Sequence, residues 1–133
     1  MRRSVPGFAC LLGMLWFASG VAQTPGTGAG SLVLRPLAPS GGRGVSNGPL
    51  IDRAEVRVSR VDVEPNGVRN VHAHDDMQFH LFVAVAGSVR LEVESQNVQL
   101  GPWQAHFIKG GTPHGFTNTG TSTATILEVF VKK

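Results

Sequence analysis

HAHDDMQFHLFVAVAGSVRLEVE (72–94) holds both the architecture and the chemistry of this chain. Its second half alternates: Val89, Leu91 and Val93 stand two apart, with Arg90 and Glu92 between them. That is the period of a strand with one buried face. QFHLFVAVA (78–86) is a more continuous apolar strand, separated from the next by Gly87. The first half packs three histidines and two aspartates into nine positions. His72 and His74 are two apart, so on a strand both side chains leave the same face. A turn through Asp75-Asp76-Met77 would bring the chain back antiparallel, with Gln78 opposite His74 and His80 opposite His72. Asp75 and Asp76 are read as solvated turn residues, because successive strand side chains diverge. His80 stands between Phe79 and Leu81 in an apolar strand, and a buried imidazole requires a partner.

The same texture extends in both directions. AEVRVSRVDVE (54–64) alternates through Val56 and Val58, then Val61 and Val63; the slip between the two pairs predicts a bulge. Pro65-Asn66-Gly67 predicts a turn. NVQL, QAHFIK, PHGFTN and the final TATILEVFV supply further short strands between Gly and Pro punctuation. No segment shows helical periodicity, and regularly spaced short strands predict an all-β sandwich or barrel. Residues 23–50 are rich in Gly, Pro, Ser and Thr and read as a linker, with SLVLRPL (31–37) as a candidate edge strand.

The chain opens differently. Arg2 and Arg3 precede an apolar run from Val5 to about Ala18, and Gly20-Val21-Ala22 fits a small-x-small cleavage pattern. Residues 1–22 therefore read as a secretory signal peptide, and the protein as exported, periplasmic or secreted. The run is short and is interrupted by Pro6, Gly7 and Gly13, so no stable membrane insertion is expected after cleavage; an uncleaved anchor is the alternative. Twelve Lys and Arg face nine Asp and Glu in the whole chain. Without Arg2 and Arg3 the balance is about +1, with no basic cluster beyond Lys132-Lys133, so no nucleic-acid partner is expected. The single cysteine, Cys10, lies in the signal segment. Any metal must then be held by His, carboxylate or amide groups. A mature chain of about 111 residues can bury only a modest core, which favours barrel closure or dimerisation.

A second histidine stretch, LGPWQAHFIKGGTPHGFTNTG (100–120), carries Gly111, His114 and Asn118. Together with Gly67, His72 and His74 it resembles the two motifs of the cupin superfamily. The first family motif has Gly, a short gap, H-x-H, three or four residues, Glu, six residues and Gly; the second has Gly, five residues, P-x-G, two residues, His, three residues and Asn. Trp103 stands where the second motif has its first glycine, and Lys109 where it has proline. The acidic ligand of the first motif is missing, and Gln78 and His80 compete for its place.

The resemblance spans about Val56 to Val131. It implies a small antiparallel β-barrel of the double-stranded β-helix, jelly-roll-like kind over 51–133, with ligands in the barrel mouth. The expected ligands are His72, His74, His80 and His114, with Gln78 beside them or replacing His80. Neutral imidazole is the better transition-metal ligand of the two. The cofactor implied is one divalent transition-metal ion: iron, manganese, zinc, nickel or copper. Phe116 and Asn118 are pocket candidates, and His106 is divided between surface and pocket; Glu128, within the apolar final strand, is the best candidate for an inward carboxylate, with solvent exposure the expected placement. Phe79, Phe82, Phe107, Phe116 and Phe130 are read as core, with Phe116 also close enough to His114 to line the pocket. The resemblance also implies a small-molecule ligand or substrate and a homodimer by strand exchange at a sheet edge. Two functions follow: a metal-dependent, oxygenase-like enzyme with unassigned catalytic residues, or a non-catalytic binding or metal-sequestering protein.

Overall fold

The computed structural model describes residues 35–133, all in strands and turns. Nine strands run in order: β1 (Ala38–Pro39), β2 (Gly42–Asp52), β3 (Val56–His72), β4 (Met77–Ala86), β5 (Val89–Val93), β6 (Gln96–Leu100), β7 (Ala105–Lys109), β8 (His114–Asn118) and β9 (Ala124–Lys132). All pairings are antiparallel, along the path β6-β5-β8-β3-β9-β4-β7, with β2 also on β3 and β1 on β2. The sheet curls into a nearly closed barrel, as the alternation predicts. The signal segment and most of SLVLRPL lie outside the described residues.

The core is the inward set of this sheet. Val61 and Val63 on β3, Phe82 on β4, Leu91 on β5, Phe116 on β8 and Ile126 on β9 pack in one cluster, each almost sealed from solvent. Burying an aromatic such as Phe82 is worth about 3–5 kcal/mol against alanine.

Three expectations change here. Val56-Val58 and Val61-Val63 are not separated by a bulge on β3; the β3–β9 register runs unbroken from Val56↔Val131 to Val63↔Ala124. The two pairs simply face opposite sides, the first half-buried and the second in the core. Pro65-Asn66-Gly67 does not end the strand. Asn66 takes φ 59° and β3 bulges against β2, whose register jumps from Arg43↔Val68 to Val45↔Val63. A Cβ on Gly67 would lie 2.8 Å from the carbonyl oxygens of both Glu64 and Gly44, so the bend requires glycine. Residues 42–52, read as linker up to position 50, form β2. Ladder hydrogen bonds to β3 hold this Gly- and Pro-containing segment at the sheet edge, where such residues are tolerated.

Candidate metal centre

His72 closes β3 and His114 opens β8, and the two are register partners across that pair. His74 follows β3 in the loop. Its carbonyl accepts from the Gly111 amide at 3.0 Å, so the first histidine stretch docks on the glycine turn of the second. Gly111 has φ 81°, a conformation that favours glycine. One ring nitrogen each from His72, His74 and His114 lies within 4.8 Å of the other two.

The two strand histidines are oriented alike. His72 Nδ1–H donates to the Asn70 carbonyl at 2.8 Å, and His114 Nδ1–H to the Thr112 carbonyl at 2.8 Å. Each bond fixes the tautomer and leaves the Nε2 lone pair free. Both Nε2 atoms are buried without a hydrogen-bond partner in the protein. Buried polar atoms are rarely left so, and two converging on one point fit a bound cation.

Electrostatics keep these rings ligand-ready. Burial lowers the basicity of His72, with the Arg69 charge adding to it; burial likewise lowers His74, helped by neighbouring His72. Burial brings His114 down to about 4, despite the opposing Thr112 hydrogen bond. All three are neutral at physiological pH, the form that binds metal.

His80 completes the histidine cluster without joining the triad. Its ring centroid is 5.1 Å from that of His114 and 5.5 Å from that of His74. It is clamped between Phe82 at 3.9 Å and Phe130 at 4.0 Å, and neither ring nitrogen has a hydrogen-bond partner. Its Nε2 lies 3.7 Å from Glu128 Oε1. This is not an ion pair. Burial drives His80 down to about 2 and Glu128 up to about 7, so the imidazole stays neutral and the carboxyl is shifted toward its neutral form.

The cupin-domain family profile matches residues 59–130. The chain belongs to the cupin family. Among solved structures, this cupin is similar to the protein TT1209 from Thermus thermophilus, at 25% identity over 66% of this chain and 83% of that one, with TM-score 0.62. It is similar to the polyketide cyclase RemF from Streptomyces resistomycificus, at 27% identity over 70% and 68%, TM-score 0.60. It also shares its fold with a predicted oxalate decarboxylase from Thermotoga maritima, at 21% identity over 70% and 85%, TM-score 0.64. No curated protein matches the chain.

The barrel brings His72, His74, His80 and His114 together, but not through a hairpin. In this cupin β3 pairs with β2, β8 and β9, whereas β4 pairs with β7 and β9. His80 therefore reaches the cluster from another part of the wall. Gln78 does not reach it: a register shift between Met77 and Phe79 turns Met77 inward and leaves Gln78 exposed. Asn118 is buried, but its amide donates to the Val63 and Ser122 carbonyls and its Oδ1 accepts from Gly120, each at 2.8 Å. It ties the β8–β9 turn to β3 instead of offering polar atoms to a ligand. Phe116 belongs to the core cluster, and His106 is half-buried on β7 opposite Phe82. Phe79 and Phe107, read as core, are 44% and 71% exposed. Glu128, the carboxylate best placed to turn inward although solvent exposure is the expectation, does face inward, 5% exposed. Its parity with Ala124, Ile126 and Phe130 was the available signal.

Trp103 answers the question of the absent motif glycine. It takes φ 63° in the Gly101–Gln104 turn, closed by a Gln104 N–H to Gly101 carbonyl bond of 3.0 Å. A tryptophan occupies the backbone conformation that a glycine would adopt without strain.

Proposed function

We propose that this protein is an exported cupin that binds one divalent transition-metal ion through His72, His74 and His114 and acts on a small anionic, chelating organic molecule, as an oxygenase-like enzyme. The observation that carries the metal reading is the pair of buried, partnerless Nε2 atoms whose tautomers are fixed from behind by backbone carbonyls. Neutral imidazoles suit iron, manganese, zinc, nickel or copper. Such an ion would supply Lewis acidity at the barrel mouth.

Charge supports the choice of ligand. The three imidazoles bring no negative charge, and burial of Glu128, nearest behind them through His80, works against its ionisation. Arg69, whose guanidinium donates to Ser40 Oγ at 2.8 Å, adds positive potential that acts on all four histidines. A dication there is poorly compensated, so a ligand bearing a carboxylate or enolate is favoured over a neutral one. The clamped His80 ring forms an apolar-backed wall of the site. Export is supported by the Arg2-Arg3 and apolar opening of the sequence.

Metal analysis of protein recovered from the export compartment tests this reading. One equivalent of a transition metal is expected, and His114→Ala is expected to lose it. Metal-free protein with intact fold would refute the metal assignment. Oxygen uptake with a panel of small carboxylates and diketones then separates an enzyme from a binding protein. Saturable binding without turnover would leave the metal site standing and refute catalysis.

A further inference from the structure

The outer wall of the barrel carries an apolar face that the metal site does not explain. One rung crosses five strands from β2 to β7: Ile51, Val58, Val129, Leu81 and Phe107 are successive register partners. The rung on one side of it carries Val131 and Phe79, and the rung on the other carries Leu127 and Val83. These residues alternate with Ile126, Phe130, Phe82 and Ile108, which are buried, so they face away from the core. Phe107 is 71% exposed and Phe79 44%.

The size of this face fits an interface. Strands about 4.8 Å apart and outward residues about 6.8 Å apart give three rungs on β3, β9, β4 and β7 a flat footprint of about 400 Å². Apolar patches of this extent serve in binding. Side-chain relief and a polar rim raise what one partner can bury to about 600–800 Å², within the roughly 600–1,000 Å² per partner of a stable contact.

Its charge and its surroundings favour a copy of itself. Arg60 and Lys109 are the basic residues on these rungs, as register partners of Leu127 and Phe79. The Arg60 guanidinium is neutralised by Asp62, to which Nε and Nη2 donate at 3.0 and 2.7 Å. Lys109 sits at a corner on β7, so the centre is uncharged and two copies meet there without like charges opposed. Both sides of β3 are already filled within the chain, by β2 on one and by β9 and β8 on the other. A partner finds no free ladder on β3, whereas its outward face remains available. Apolar sheet faces pack on one another about 10 Å apart, and a small barrel with a modest core gains a second apolar layer that way.

We propose that this face binds a second copy of this chain, the two barrels packing outer wall to outer wall with Val129, Leu81 and Phe107 at the centre of the contact. This inference is independent of the metal reading.

Sedimentation velocity across the micromolar range, on protein recovered from the export compartment, tests it. The wild-type protein is expected to sediment as a dimer that dissociates on dilution. Leu81→Arg puts a charge at the centre of the contact, and Phe107→Ser truncates a side chain that lies largely outside the fold. Each should raise the dissociation constant by about tenfold or more, with unchanged β-sheet circular dichroism. Should Leu81→Arg fail to fold, Phe107→Ser decides the matter alone. A wild-type monomer throughout the range would overturn the proposal. A dimer that neither substitution weakens would overturn it as well, and would place the contact at a sheet edge.

Discussion

Substituting Glu128 by Gln should steepen the acid sensitivity of the metal-free protein. His80 and His114 are buried and neutral in the fold, down to about 2 and about 4 respectively, whereas in the unfolded chain each takes up a proton near 6.5. Below 6.5 the unfolded state therefore binds more protons, and stability falls with falling pH. Each fully developed difference of one proton changes stability by about 1.4 kcal/mol per pH unit. Glu128 acts in the opposite direction. Its folded pKa is raised to about 7 from 4.5, so between those values the folded state binds the extra proton. Its contribution is present in full below 4.5 and is lost as pH rises through 7. Between pH 6.5 and 4.5 two histidines thus oppose one glutamate, and these three groups together leave a net loss of about 3 kcal/mol over those two units. In the glutamine variant the opposing group is gone, and the same two histidines should cost about 5–6 kcal/mol over that range, comparable with the whole stability of a small domain.

Urea unfolding of the chelator-treated protein at half-unit pH steps measures both slopes. The difference between the two proteins isolates Glu128, since every other titrating group is common to both. A difference of about 1.4 kcal/mol per pH unit is expected. Parallel profiles would show that Glu128 is ionised in the fold, and the neutral His80–Glu128 couple would be wrong.

The other outcomes follow from the same geometry. His114→Ala removes a ligand with a tautomer-fixing bond, and metal affinity measured by chelator competition should fall by more than the roughly 10- to 100-fold typical of losing a group behind a ligand. Gln78→Ala, at an exposed position, should leave affinity within about 2-fold by the same assay; a large loss would restore Gln78 to the ligand set. His80→Leu should retain one equivalent of metal, because the triad excludes His80, and should flatten the acid arm of metal-free stability by about 1.4 kcal/mol per pH unit. Trp103→Gly relieves a positive φ at a side chain 78% exposed, and calorimetry should show stabilisation of about 1 kcal/mol; destabilisation would mean that the indole has a packing role.

The sequence shows strands readily and their partners poorly, for a physical reason. Alternation reports which side chains share a face, so Val89-Leu91-Val93 and the H-x-H pair are readable from their spacing alone. It does not report which strand lies alongside. The spacing suggests a hairpin partner in β4 for His72, but its neighbour is His114 on β8, forty-two positions away. Parity fails outright where a register shift intervenes, as between Met77 and Phe79, and this is why sequence alone does not separate Gln78 from His80. Glu128 is obscured by the outer wall. Leu127, Val129 and Val131 are as apolar as Ile126 and Phe130, so hydrophobicity does not say which set is inside.

The missing glutamate of the first motif acquires a structural counterpart from these positions. On β4 the rungs pair His80 with Phe130 and Phe82 with Glu128, so the carboxylate lies on the neighbouring strand, one step along and diagonal to His80. That diagonal sets the 3.7 Å approach of Oε1 to His80 Nε2. The interior thus retains a carboxylate, but behind an imidazole and away from the triad, with Phe82 and Phe130 holding the imidazole between them. Burial lifts that carboxyl to about 7, a range in which the candidate ligand histidines have already lost their protons. The proposed cation would meet neutral nitrogen donors only, and most of the balancing negative charge would fall to the proposed small-molecule ligand.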